Sequence, residues 1–172
     1  MPEARTAEEI VGRLGVHALA ASDVHGKPVI DVAAGDVPKA LLELRDLGFK
    51  HLMSVHGLDY FPEEPRLGVQ YELIDRSALE RVTVRLRVSV DEPNVPSVTP
   101  DWPTADHQER EIYDLFGVVF DGHPDLRRIL MPDDYVGHPQ RRDFPIGGEP
   151  VLFTVNENSG TAYAAKPERA AR

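Results

Sequence analysis

The sequence predicts an α/β chain of the α+β type: a mixed sheet with flanking helices over residues 1–100, followed by an extended, partner-wrapping C-terminal arm. Three observations predict it. Helix and strand signals intermingle up to residue 90, residues 81–90 alternate apolar and polar with a period of two, and beyond Gly117 prolines recur too often for a long helix or central strand. With 172 residues, 41% of them hydrophobic, the chain fills one ordinary core and leaves a remainder for an appendage.

Thr6 with Glu9 three residues on has capping-box spacing, so a short helix is expected through Ile10, Val11 and Leu14, stopped by Gly15. Two apolar-rich runs, Val16 to Ala20 and Pro28 to Ala33, flank a turn-prone stretch from Asp23 to Lys27 that contains Gly26, which predicts a hairpin. Asp36 is placed to cap a second helix with Ala40, Leu41, Leu44 and Leu47 on one face, and Gly48 is placed to end it. From Phe49 to His56 an imperfect alternation puts Phe49, His51, Met53 and Val55 on one face of a strand. Leu67, Val69, Tyr71 and Leu73 mark the next strand. The clearest one follows, with Val82, Val84, Leu86, Val88 and Val90 facing the core and Arg81, Thr83, Arg85, Arg87 and Ser89 facing away. The short polar stretch Asp75 to Leu79 suits an antiparallel hairpin between the last two.

Pro93, Pro96, Pro100 and Pro103 then read as a linker into a third helix, capped by Thr104 and running to about Phe116. Residues 101–155 form the docking helix and interaction arm. Leu126, Ile129, Leu130, Met131, Tyr135, Phe144 and Ile146 are too many for a solvated tail and too scattered for a private core. They are expected to need another surface. Residues 156–172 read as a flexible tail.

A formal net charge of -10 disfavours nucleic acid and anionic lipid as partners. Cysteine is absent, so disulfides, thiolate metal sites and cysteine-ligated clusters are excluded, and neither common nucleotide-binding fingerprint occurs. No apolar run is long enough to span a bilayer and the first residues do not resemble a secretory signal, so a cytoplasmic chain is expected, reaching a membrane only through a partner.

Three groups of residues could carry chemistry. Glu109 and Glu111 flank Arg110, but residues two apart on a helix diverge, so they cannot share a substrate. Arg110, four residues from both Asp106 and Asp114, is expected to pair along the helix face. The near-repeat Gly122-His123-Pro124-Asp125 and Gly137-His138-Pro139-Gln140, with Asp133, Asp134 and Asp143 nearby, raises a His/Asp metal-dependent hydrolase as the competing enzyme reading. Against it, no two ligands lie one turn apart on a helix, and each histidine precedes a proline that favours an extended backbone. Arg127-Arg128 and Arg141-Arg142 alternate with aspartates along the arm, which suggests salt bridges to a partner.

The run Glu109-Arg110-Glu111-Ile112-Tyr113-Asp114-Leu115-Phe116-Gly117, then Gly122-His123-Pro124-Asp125-Leu126-Arg127-Arg128-Ile129-Leu130, then Asp133-Asp134 and Gly137-His138-Pro139-Gln140-Arg141-Arg142-Asp143-Phe144-Pro145, resembles the signature of the 30 kDa subunit family of NADH:quinone oxidoreductase (respiratory complex I). His107 and Tyr135 stand where that family often has tryptophan, and Gln140 where leucine is usual. The resemblance implies a connecting subunit of the peripheral arm, held on the cytoplasmic side of the cell membrane through the complex. It implies no catalytic site, no metal and no cofactor on this chain, with FMN and iron–sulfur clusters on partner subunits. The implied partners are the large quinone-site subunit and neighbouring iron–sulfur subunits, and the signature residues are the implied interface. The signature is shared with subunits of related membrane-bound hydrogenases and dehydrogenases.

Overall fold

The computed structural model describes residues 5–14 and 18–145. The stop at Gly15, the start of the first strand at Val16, and the arm and tail beyond residue 145 lie outside the described residues.

Helix α1 (Ala7–Leu14) begins in the expected capping box: the Thr6 amide donates to Glu9 Oε2 at 2.9 Å and the Glu9 amide donates to Thr6 Oγ1 at 3.3 Å. Two of the orphan amides that every helix start leaves are thereby satisfied. Strands β1 (Ala18–Val24) and β2 (Lys27–Val32) form the first hairpin, with a turn confined to His25 and Gly26. The turn is tighter than the expected Asp23 to Lys27, because residues at positive φ, 51° at His25 and 73° at Gly26, reverse the chain in two steps. Helix α2 (Val37–Asp46) buries Val37, Ala40, Leu41 and Leu44 and ends at Gly48, φ 111°. Asp36 lies in a preceding 3-10 turn and its side chain does not cap the helix.

Strands β3 (His51–Asp59), β4 (Leu67–Asp75) and β5 (Glu80–Val88) follow. Together with the first hairpin they make a five-stranded sheet ordered β1-β2-β5-β4-β3, in which β2 and β5 run parallel and every other pair is antiparallel. In β4 and β5 the expected alternation holds: Leu67, Val69, Tyr71, Leu73, Val82, Val84, Leu86 and Val88 are all buried. In β3 it does not. A bulge between Leu52 and Ser54 adds one unpaired residue, Met53, so the phase resets and Leu52 and Val55 face the core while Met53 and His51 are exposed. On the face away from the core, Asp31 and Arg85 are cross-strand partners and pair at 2.6 Å.

The proline-rich linker is more ordered than expected. Strand β6 (Asn94–Pro96) pairs in parallel with β7 (Val119–Asp121), and helix α3 (Asp106–Phe116) forms the crossover between them. Proline is tolerated because three-residue strands at the edge need few N–H donors. Thr104 sits within a 3-10 turn, Pro103–Ala105, ahead of α3 rather than at its cap. Helix α3 lies along the outer edge of β3. Gln108 accepts a hydrogen bond from the Val55 amide and donates to the Thr104 carbonyl, so a side chain occupies an edge group that would otherwise await a strand.

Candidate docking site

Residues 122–145 contain no helix or strand, and successive turns replace the extended course expected of them. Turns closed by Tyr135 N to Pro132 O, Arg141 N to His138 O and Phe144 N to Arg141 O fold the segment back against α3 and the β3–β4 loop.

Asp114 is the centre of that contact. Its carboxylate is fully buried; Oδ2 accepts three successive backbone amides, Ile129 at 3.1 Å, Leu130 at 2.8 Å and Met131 at 2.8 Å, while Oδ1 accepts Arg128 Nη1 at 2.6 Å. Arg128 Nη2 reaches on to the Tyr135 and Gly137 carbonyls at 2.9 and 3.0 Å, so one ion pair closes both ends of the 129–137 loop. Burial pushes the Asp114 carboxyl upward, but the three amides and the guanidinium outweigh it and hold the group below the usual carboxylate range. His138 Nδ1–H donates to the Asp114 carbonyl at 2.9 Å, and burial holds this histidine below its ordinary value, with Arg141 and Arg128 acting in the same direction.

A second anchor joins the arm's end to the sheet. Arg66, 7% exposed, grips both Asp59 (2.8 and 2.7 Å) and Asp143 (2.8 Å), and the Arg142 amide donates to Asp59 at 2.8 Å. Side-chain hydrogen bonding to Arg66 holds Asp59 and Asp143 below the usual carboxylate range. Arg142 Nη1 and Arg141 Nε end on the Phe61 and Phe116 carbonyls at 3.1 and 2.7 Å.

Arg127, Arg128, Arg141, Arg142, Asp125 and Asp143, all expected to face a partner, therefore make hydrogen bonds inside the chain, whereas Asp133 and Asp134 are exposed. Arg110 bonds the Arg127 and Arg128 carbonyls instead of pairing with Asp106 and Asp114, and Arg127 pairs with Asp125 at 2.8 Å. The outcome follows from proximity across the fold, which spacing along one helix does not report. Glu109 is fully buried, accepting Ser97 Oγ at 2.6 Å and the Val98 amide at 2.9 Å, and desolvation raises its pKa. It fastens α3 to the linker and cannot meet a partner while there. His123 has a fully buried side chain; Asp125 N–H donates to its Nδ1, leaving Nε2–H for the Asp106 carbonyl at 3.2 Å. Among the described residues no cluster of histidines and acidic groups is arranged to hold a metal. Tyr113, Phe116, Leu126, Pro139 and Phe144 are half-buried, while Glu111, Pro124, Asp125, Arg127, Asp133, Asp134, Arg142, Asp143 and Pro145 are exposed.

The junction of helix and arm is built on a glycine. Gly117 ends α3 at φ 78°, and a Cβ there would stand 2.5 Å from His138 Nε2 and 2.6 Å from Arg141 Nη2. Gly117→Ala is expected to cost about 1 to 2 kcal/mol for the left-handed backbone and more for the displaced His138 and Arg141. The checking measurement is thermal unfolding together with proteolysis at Arg127 or Arg128; wild-type stability and resistance would show that the junction accommodates the methyl group without cost.

The family model described as "Respiratory-chain NADH dehydrogenase, 30 Kd subunit" matches residues 30–150, which run from within β2 through the rest of the sheet, α3 and the whole described arm. The chain belongs to this family. An NADH-quinone oxidoreductase subunit from Roseiflexus castenholzii is 42% identical over 92% of this chain and 84% of its own length. Its namesake from Saccharopolyspora erythraea is 54% identical over 64% of this chain; the match spans 46% of that relative, so this chain covers about half its length. Among solved structures, a trypsin-resistant fragment (1–134) of Nqo5 is similar with a TM-score of 0.58 at 34% identity, covering 62% of this chain and 89% of that one. A chain of an archaeal membrane-bound sulfane sulfur reductase, 24% identical, shares the fold with a TM-score of 0.70 over 81% of this chain and 85% of its own. In this member of the 30 Kd family the signature coincides with α3 and the arm folded onto it, so much of the signature is internal bonding.

Acid should loosen this arm. Asp59, Asp114, Asp143 and His138 all have folded pKa values below their unfolded ones, so each contributes stability that is present above its unfolded pKa and lost as pH falls toward its folded pKa. Loss begins with His138 below about pH 6.5 and continues with the carboxylates below about pH 4. Glu109, with its raised pKa, acts oppositely, its contribution fading as pH rises through its folded value. Amide exchange at Ile129 to Met131, corrected for intrinsic rates, should show protection falling from pH 7 to pH 4; constant protection would refute the assignment.

Proposed function

We propose that this chain is a non-catalytic connecting subunit of the peripheral arm of a proton-pumping NADH:quinone oxidoreductase. The complex as a whole would move electrons from NADH through FMN and iron–sulfur clusters to quinone, and this chain would supply position. The observation that carries the reading is the arm: its arginines bond within the chain, while Leu130 is 60% and Val136 88% exposed. Burial of such groups by another subunit is favourable at about 25 cal/mol per Å2. The names of the relatives support the NADH- and quinone-linked complex over a related one.

The chain itself would hold no cofactor, consistent with its lack of cysteine. None of the described helices is long and apolar enough to cross a membrane, and attachment to the cytoplasmic side of the cell membrane would come through the complex. The large quinone-site subunit and the iron–sulfur subunits next to it are the proposed neighbours. Affinity purification of the tagged chain from native membranes tests this. Recovery of those subunits with NADH:quinone activity is the expected result. Recovery of the chain alone, with stoichiometric zinc or manganese, would replace it with the metal-dependent hydrolase.

A further inference from the structure

We propose that residues 129–136 are a preformed recognition loop that docks an apolar surface of a partner subunit flanked by lysine or arginine. The inference rests on the subunit reading above and adds the face used and the chemistry of its partner.

The backbone of the loop is held from inside. Asp114 takes the amides of residues 129, 130 and 131, and Arg128 takes the carbonyls of 135 and 137. With these groups satisfied, the side chains between them point outward: Ile129 is 36%, Leu130 60% and Val136 88% exposed. Branched aliphatic groups on an ordered loop make a binding surface whose ordering cost is met in the free chain, which favours association without coupled folding.

Charge selects the occupant. Asp133 and Asp134 are exposed beside these aliphatic residues and form no ion pair with the described residues. Arg128, the cation at the loop's root, is turned inward onto Asp114. A second copy of this chain, at net charge -10, or an anionic bilayer would be repelled, whereas a cationic rim around an apolar patch is attracted.

The test uses the full chain, tagged, in its native membranes and again after purification. Leu130→Asp with Val136→Asp, and separately Asp133→Lys with Asp134→Lys, should each lower recovery of neighbouring subunits roughly tenfold. Amide protection of residues 129–131 should stay at wild-type level in each purified variant. Undiminished recovery with both variants overturns the loop assignment while leaving the subunit reading standing. Failure of the wild-type chain to recover any subunit overturns that reading instead. Unfolded-like exchange of those amides in the free wild-type chain overturns preformation. Sedimentation showing a dimer abolished by Leu130→Asp, or flotation with vesicles of anionic phospholipid, would give the loop to a second copy or to a bilayer and overturn the proposal.

Discussion

Replacing Asp114 with alanine is expected to detach the arm from an otherwise folded domain. The substitution removes the acceptor for three consecutive amides and the counter-charge of Arg128, whose side chain is only 15% exposed. Breaking a buried, hydrogen-bonded charge pair from one side costs about 3 to 5 kcal/mol, much of it the desolvation of the partner left behind. The sheet does not bear that cost directly. Asp114 is covered by arm residues 128–131, so the chain escapes the penalty by letting the arm leave, and the loss appears as local opening before global unfolding. Amide exchange of Ile129, Leu130 and Met131 should approach unfolded rates while Val84 and Leu86 stay protected. Asp114→Asn, which keeps an acceptor oxygen but no charge, should fall between. Equal loss of protection in arm and sheet would mean that the arm is part of the core's cooperative unit.

Much of the domain is legible in sequence because local patterns decide it. In β5 each residue's side is set by its neighbours two positions away, and in α1 Thr6 and Glu9 bond reciprocally within one turn. Met53 shows where this fails. Nothing in the local pattern marks the extra residue that resets β3, because the bulge is a relation between β3 and β4. The arm fails for the same reason on a larger scale. Its signature residues and irregular backbone are readable, but the mates of its charges are not: Asp143 is 77 residues from Arg66, and Arg128 is 14 from Asp114. Arg128 and Asp143, with no evident local partner, look partner-seeking although the fold has already paired them. Of the exposed aliphatic groups, Ile129 and Leu130 are legible as apolar residues without a private core, whereas no pattern in the sequence marks Val136.

The second large effect is expected at Arg66, a residue that stands outside the signature. It lies just ahead of β4, reaches Asp59 at the end of β3 and Asp143 on the arm, and is nearly buried between them. The two acceptors differ: the Asp59 side chain is 2% exposed, whereas that of Asp143 is 50% exposed. Arg66→Ala strands Asp59 in a dry site with only backbone amides as donors, a loss of about 3 to 5 kcal/mol. Asp143→Ala removes a half-solvated partner and is expected to cost about 1 kcal/mol or less. Single and double variants, measured by denaturant unfolding, separate the two pairs: Arg66 should couple strongly to Asp59 and weakly to Asp143. Arg66→Lys should recover little, since one ammonium cannot present parallel N–H groups to two carboxylates. Because the Arg66 hydrogen bond is the largest influence holding the Asp59 carboxyl down, Arg66→Ala should also flatten the acid limb of the stability curve below about pH 4. An Arg66→Ala loss no larger than that of Asp143→Ala, with the acid limb unchanged, would show that Asp59 is satisfied by its amides alone and that Arg66 is not what joins the arm to the sheet.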